Sequence, residues 1–195
     1  MRSSSRHGFV IAVFALLALY PLVGGPFGID LITKTMVWAI LALSLELLVG
    51  SAGLVCFGQA AFFGIGAYAA VLLASRADAP SALWLLPACV AVSALYALAV
   101  GALSLRTKGV YFIMVTLAFA QMAYFVVHDT PLGGGTDGIY LSQPPTLLGL
   151  SLGQPQVIYA LTWALLAAVF AFLGLLLRSR FGRALAGIRV NEQRM

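Results

Sequence analysis

Residues 51–73 read SAGLVCFGQAAFFGIGAYAAVLL. The run is apolar enough to enter hydrocarbon, yet Gly53, Gly58, Gly64 and Gly66 interrupt it and Gln59 puts an amide inside it. Glycine weakens a helix interior by about 1 kcal/mol relative to alanine, so this many glycines need a compensating use. Set out at about 100° per residue, positions 55–74 divide into two faces. Gln59, Ala60, Gly64, Gly66, Ala67, Ala70 and Ala74 fall on one, interrupted by Phe63 and Val71. Phe57, Phe62, Ile65, Tyr68, Leu72 and Leu73 fall on the other. Lipid gives no hydrophobic drive between helices, so association rests on close approach, which pairs such as Ala60-xxx-Gly64 permit. The pattern predicts a tightly packed, central transmembrane helix with Ala60, Gly64, Gly66, Ala67 and Ala70 on its packing face. Gly53 and Gly58 add a second expectation, that the chain enters the membrane as a bent or partly broken helix.

The surrounding composition agrees with a membrane setting. Of the 195 residues, 62% are apolar and 9% charged, and the mean hydropathy is +1.03. A water-soluble domain needs about a quarter of its residues charged. The expected fold class is therefore all-α, a polytopic bundle of transmembrane helices. The net charge of +5 does not point to nucleic acid, because Arg178, Arg180, Arg183, Arg189 and Arg194 crowd one end of the chain. That clustering fits a cytoplasmic membrane flank. Cys56 and Cys89 both lie in apolar runs and read as small buried side chains. His7 and His128 lie far apart, so no metal ligand set and no cofactor site is expected.

A hydrocarbon core about 30 Å thick takes roughly 20 helical residues. Segments of suitable length lie near 9–24, 31–49, 55–75, 82–104, 109–127 and 157–177, which predicts six spans. Arg2 and Arg6 before the first run resemble a signal peptide's basic start, but no small-residue cleavage site follows, so the run is expected to stay as an anchor. With the N-terminus inside, the cytoplasmic pieces hold Arg2, Arg6, Arg106, Lys108 and the five C-terminal arginines, nine of the eleven basic residues. Lys34 and Arg76 remain outside, with Asp30 and Asp78 close by in sequence. The asymmetry predicts both termini on the cytoplasmic side. The long connection 128–156 contains PLGGGTDGIY and no basic residue, which places it outside. Gly133, Gly135 and Gly138 match GxGxxG in form, but no strand-to-helix unit surrounds them, and a turn region is the better reading. No P-loop occurs, so ATP hydrolysis would have to come from a partner.

Polar residues inside spans are the candidate pathway groups. Gln59 has two readings: an interhelical hydrogen bond, worth roughly 1 kcal/mol in membranes, or a pathway-lining amide near the cytoplasmic third of the bilayer. Thr116 and Gln121 are the polar interruptions of the fifth segment; Thr116 can bond a carbonyl one turn back, and Gln121 suits a contact between helices. Glu46, the only acid within a span, lies near the cytoplasmic end of the second segment and is expected to orient that helix. Catalysis finds no support, because Ser44 and Ser93 have no histidine within a span to partner them.

Several stretches together resemble a known family. LALSLELLVGSAGLVCFGQAAFFGIGAYAAVLLA at 41–74, LRTKGVYFIMVTLAFAQM at 105–122, GGTDGI at 134–139 and SRFGRALAGIRVNEQRM at 179–195 look like the permease subunits of branched-chain amino acid ABC importers of the LivM type. Order and spacing match from about residue 31 onward. The resemblance implies an inner-membrane permease working with a second permease subunit, cytoplasmic ATP-binding subunits and a periplasmic solute-binding protein. Cargo would be a branched-chain amino acid, another amino acid or urea. It also implies that Arg183, Arg189 and Glu192 belong to the cytoplasmic segment that faces the ATPase. The family's permeases continue past this point, so residues 1–195 are expected to form a single permease domain, incomplete at its C-terminus.

Two other classes compete with this reading. A secondary transporter would show inverted repeats and ion-coordinating groups, and neither is evident in the sequence. A non-catalytic membrane assembly factor would use the small-residue helix for packing alone.

Overall fold

The computed structural model describes residues 2–22, 24–75, 81–107, 109–130, 134–135, 138–139, 141, 144–147 and 150–190. Arg76, Asp78, Lys108, Gly133, Glu192 and Arg194 lie outside the described residues. The described residues are almost wholly helical, and the chain divides into two compact units, Met1–Leu47 with Leu152–Met195, and Leu48–Ser151.

The first unit contains α1 (Arg2–Leu19), a 3-10 turn (Tyr20–Leu22) and α2 (Pro26–Glu46). From the other end of the chain it takes α6 (Pro155–Arg178) and α7 (Arg180–Val190). Both α2 and α6 begin with proline in the first turn, where the absent N–H has no helical partner to lose. Ile29 and Met36 of α2 pack with Tyr159 and Leu166 of α6 to form the buried core, flanked by Phe14, Leu17 and Trp163. α1 is tied to α6 through backbone carbonyls. Tyr159 donates its hydroxyl to Leu17 O at 2.5 Å, and Trp163 Nε1 donates to Phe14 O at 3.2 Å. Pro21, four residues after Leu17, lacks the N–H that an uninterrupted helix would aim at that carbonyl, so Tyr159 serves in its place.

The second unit contains α3 (Gln59–Ser75), α4 (Ala82–Ser104) and α5 (Val110–Asp129). A two-residue antiparallel pairing, β1 (Thr146–Leu147) with β2 (Leu150–Ser151), is the small exception to the all-helical expectation. At its start the chain forms a π-helical segment over Leu47–Ala52. Gly53 then takes φ 71°, a left-handed conformation that ends the helix. Leu54 N–H closes this wide turn on Leu48 O at 3.2 Å. Residues 53–58 stay outside the helix, so α3 begins at Gln59 rather than at 55. The break expected at Gly53 and Gly58 is present. The expected start of the third segment near 55 is corrected: Gln59 is the first residue of α3, not one turn inside it.

Burial is distributed as in a lipid-facing protein. Trp84 is 80% exposed and Phe27 81%, whereas Thr116 is 2% and Thr33 8% exposed. The buried hydroxyls fold back on their own helices: Thr33 donates to Ile29 O at 2.7 Å, Thr162 to Ile158 O at 2.8 Å, and Thr116 to Ile113 O at 3.0 Å. A hydroxyl satisfied in this way can stand at a dry helix contact without a partner across it. Among the described residues, four helical segments are long and apolar enough to cross a membrane: Pro26–Ser51, Ala82–Ser104, Val110–Asp129 and Pro155–Arg178. Val10–Leu19 and Gln59–Ser75 are apolar but shorter.

Candidate functional site

The second unit is held together by small residues and carbonyl contacts, and these decide where space remains. On α4, Ser93 reaches Phe62 O at 3.4 Å. It can do so because Gly66, one turn further along α3, has no side chain to cover that carbonyl. A Cβ on Gly66 would stand 2.9 Å from Ser93 Oγ. One turn further along α4, the Tyr96 ring meets Phe62 edge-on at 5.7 Å, and its hydroxyl donates to Phe119 O at 2.8 Å. Near the start of α3, Gly58 lies against Thr116, where an added Cβ would be 3.3 Å from the Thr116 carbonyl oxygen. Gly58 beside Thr116, and Tyr96 between Phe62 and Phe119, set α3 and α5 side by side in the same direction.

Between these two helices lies a groove of about 600 Å³. Its wall is made of small residues, Ala60, Ala61 and Gly64 from α3 and Ala120 and Ala123 from α5. No side chain from these positions is long enough to fill the gap. A Cβ added at Gly64 would meet nothing within 4 Å. The polar groups on the groove are Gln121, Tyr68, Tyr124 and His128. His128 stacks on Tyr124 with ring centroids 5.2 Å apart, and its Nδ1 lies 2.8 Å from Asp129 Oδ1. Among the described residues no group of three or more potential metal ligands comes together. The groove therefore offers amide, hydroxyl and imidazole groups over an apolar floor, which suits a small solute of no net charge.

The candidate residues divide between different settings. Gln121 is on the groove. Thr116 is buried and bonded within its own helix, and Gln59 opens α3; neither lines the groove. The small face of α3 serves more than one purpose. Gly66 is the point of close approach to α4, while Ala60 and Gly64 line the groove. The expectation that Gly64 sits in a close helix contact is corrected by the open space at its Cα. Ala67 is exposed and Ala70 half-buried. Arg183, in the first turn of α7, donates from Nη1 to Arg178 O at 3.0 Å. Arg189 is also in α7, and Glu192 is outside the described residues. Tyr68, Tyr124 and His128 were not among the candidates. The signal available for Tyr124 and His128 was position, one turn apart at the end of an apolar run, whereas Tyr68 lies inside the apolar run 60–74 and carried no such signal.

A family model described as branched-chain amino acid transport system / permease component matches residues 27–195. The chain belongs to that family. It is 30% identical over 212 residues to the high-affinity branched-chain amino acid transport system permease protein LivM of Escherichia coli K12, covering 94% of this chain and 49% of the relative. The LivM protein of Salmonella typhimurium is similar to the same degree, 30% over 209 residues with the same coverage. The chain thus spans about half the length of the curated relatives it matches. No solved structure matches it. Family membership and the long apolar helices make this a multi-pass membrane protein of the transport permeases.

Proposed function

We propose that this chain forms part of the solute pathway of an ABC importer for branched-chain or related neutral amino acids. In this reading it works beside a second permease subunit, cytoplasmic ATP-binding subunits and a periplasmic solute-binding protein. It sits in the inner membrane with six crossings and both ends cytoplasmic. The observation that carries the proposal is the family match across residues 27–195. Nine of the eleven basic residues on one side support the orientation. The groove's composition supports an uncharged or zwitterionic cargo: Gln121 and the two tyrosyl groups offer hydrogen bonds, and the alanine and glycine wall leaves room for an aliphatic side chain. Of the three pathway candidates, Gln121 lies on the groove, while Gln59 and Thr116 are next in sequence to its lining residues Ala60 and Leu117. The basic segment containing Arg183, Arg189 and Glu192 faces the ATPase.

Radiolabelled leucine uptake by the full-length protein, assembled with its partner subunits in liposomes, tests this reading. Gln121→Ala should weaken apparent affinity about tenfold, the equivalent of one lost hydrogen bond of roughly 1.4 kcal/mol. The lipid-exposed change Leu175→Ala serves as control. Uptake indistinguishable among wild type, Gln121→Ala and Leu175→Ala would remove the groove from the pathway.

A further inference from the structure

A second groove, of about 520 Å³, lies in the first unit between α1 and α6. Ala15, Ala18 and Ala167 make the space, and Phe14, Trp163 and Phe170 are its aromatic walls. The Trp163 N–H is already given to Phe14 O, so no polar group is left to receive a hydrophilic solute. The register of the two helices then decides what stands at the end of the groove. Tyr159 meets Leu17 while Phe170 meets Phe14 at 5.5 Å, so α1 and α6 run in opposite directions. Arg6 precedes Phe14 by eight residues, and Arg178 follows Phe170 by eight. At 1.5 Å per residue each lies about 12 Å beyond the Phe14–Phe170 contact, on the same side. Arg180 and Arg183 follow directly in α7. Arg178, Arg180 and Arg183 are exposed, and none pairs with a carboxylate among the described residues.

We infer that this groove holds an acyl chain of an anionic phospholipid, with the lipid phosphate held by Arg178 and Arg180. The two halves of such a lipid match the two halves of the site: a hydrocarbon slot with no unsatisfied donor, and exposed arginines at 178 and 180 two turns beyond it. Arginine suits phosphate because its planar fork can donate two parallel hydrogen bonds to two oxygens. Basic pockets between transmembrane helices are a recurrent setting for anionic head groups. A helix of a partner subunit would satisfy the apolar slot but would leave Arg178 and Arg180 without a counterion.

The full-length protein, in nanodiscs of equal phosphatidylglycerol and phosphatidylethanolamine, provides the test. Native mass spectrometry after release should retain phosphatidylglycerol about fivefold over phosphatidylethanolamine, in line with charge-selective head-group binding. Arg178→Gln with Arg180→Gln should bring the ratio near unity. Ala15→Leu with Ala167→Leu should remove the retained lipid. A phosphatidylglycerol carrying a diazirine on its acyl chain should label peptides containing Phe14 and Phe170. An unselective ratio in the wild type, or labelling confined to other helices, would overturn the assignment. So would a disulfide from Ala18→Cys to a second permease subunit, because the slot would then be a protein interface.

Discussion

Gly66 and Ser93 touch across α3 and α4 so closely that a methyl group on Gly66 would stand 2.9 Å from the Ser93 hydroxyl oxygen. That hydroxyl already reaches Phe62 O. Alanine at 66 would force it to turn away and give up that carbonyl, and a larger residue would push the helices apart. Gly64, two residues earlier, faces open space. Gly66→Leu should therefore cost about 1–3 kcal/mol by overpacking. Gly64→Leu should be neutral or slightly stabilising, since leucine is the better helix former. Denaturant titration of the detergent-purified protein, followed by circular dichroism, distinguishes them. A larger loss at 64 than at 66 would mean that α3 packs through its groove face.

Tyr159→Phe keeps the ring in the core of the first unit and removes only the donor to Leu17 O. The expected loss is about 0.5–1.5 kcal/mol, since the proline after Leu17 leaves that carbonyl short of a helical partner. The same titration measures it. No loss would show that another group satisfies the carbonyl.

The turn from α6 into α7 depends on two small residues. Ser179 Oγ donates to Leu176 O at 2.6 Å and accepts the Gly182 N–H at 3.3 Å, which caps the start of α7. A Cβ on Gly182 would lie 2.5 Å from Leu176 O and 2.6 Å from Leu177 Cα, both backbone atoms that cannot swing aside. Gly182→Ala should displace α7, and hydrogen exchange across 180–190 should accelerate more than for Ser179→Ala, where loss of a cap costs about 1 kcal/mol. Unchanged exchange in Gly182→Ala would disprove the tight turn.

The proposed orientation has its own check. A reporter fused after Arg183 should read as cytoplasmic and one near Gly134 as periplasmic. The opposite pattern, or one side for both, would rule out six crossings with cytoplasmic ends.

Hydrocarbon-length apolar runs, the scarcity of charge and the gathering of arginines near 178–194 were all readable from residue type and order alone. The family could be read the same way, from motifs such as LRTKGVYFIMVTLAFAQM at 105–122. The break before α3 was also legible, because Gly53 acts on the backbone where it stands. Which small residue is a contact and which is a space was not. Gly64 and Gly66 look alike in sequence, and only the approach of Ser93, 27 positions from Gly66, separates them. The periodic pattern placed Gln59 on a helix face, but the helix begins there, because the π-helical turn and Gly53 use up the preceding residues. Tyr68, Tyr124 and His128 came to one groove only through the register between α3 and α5, and Tyr159 found Leu17 from 142 positions away. Hydropathy and backbone propensity belong to a residue and its immediate neighbours, so sequence determines them. Contacts between helices depend on which faces meet and at what height, and the packing of the whole unit decides that.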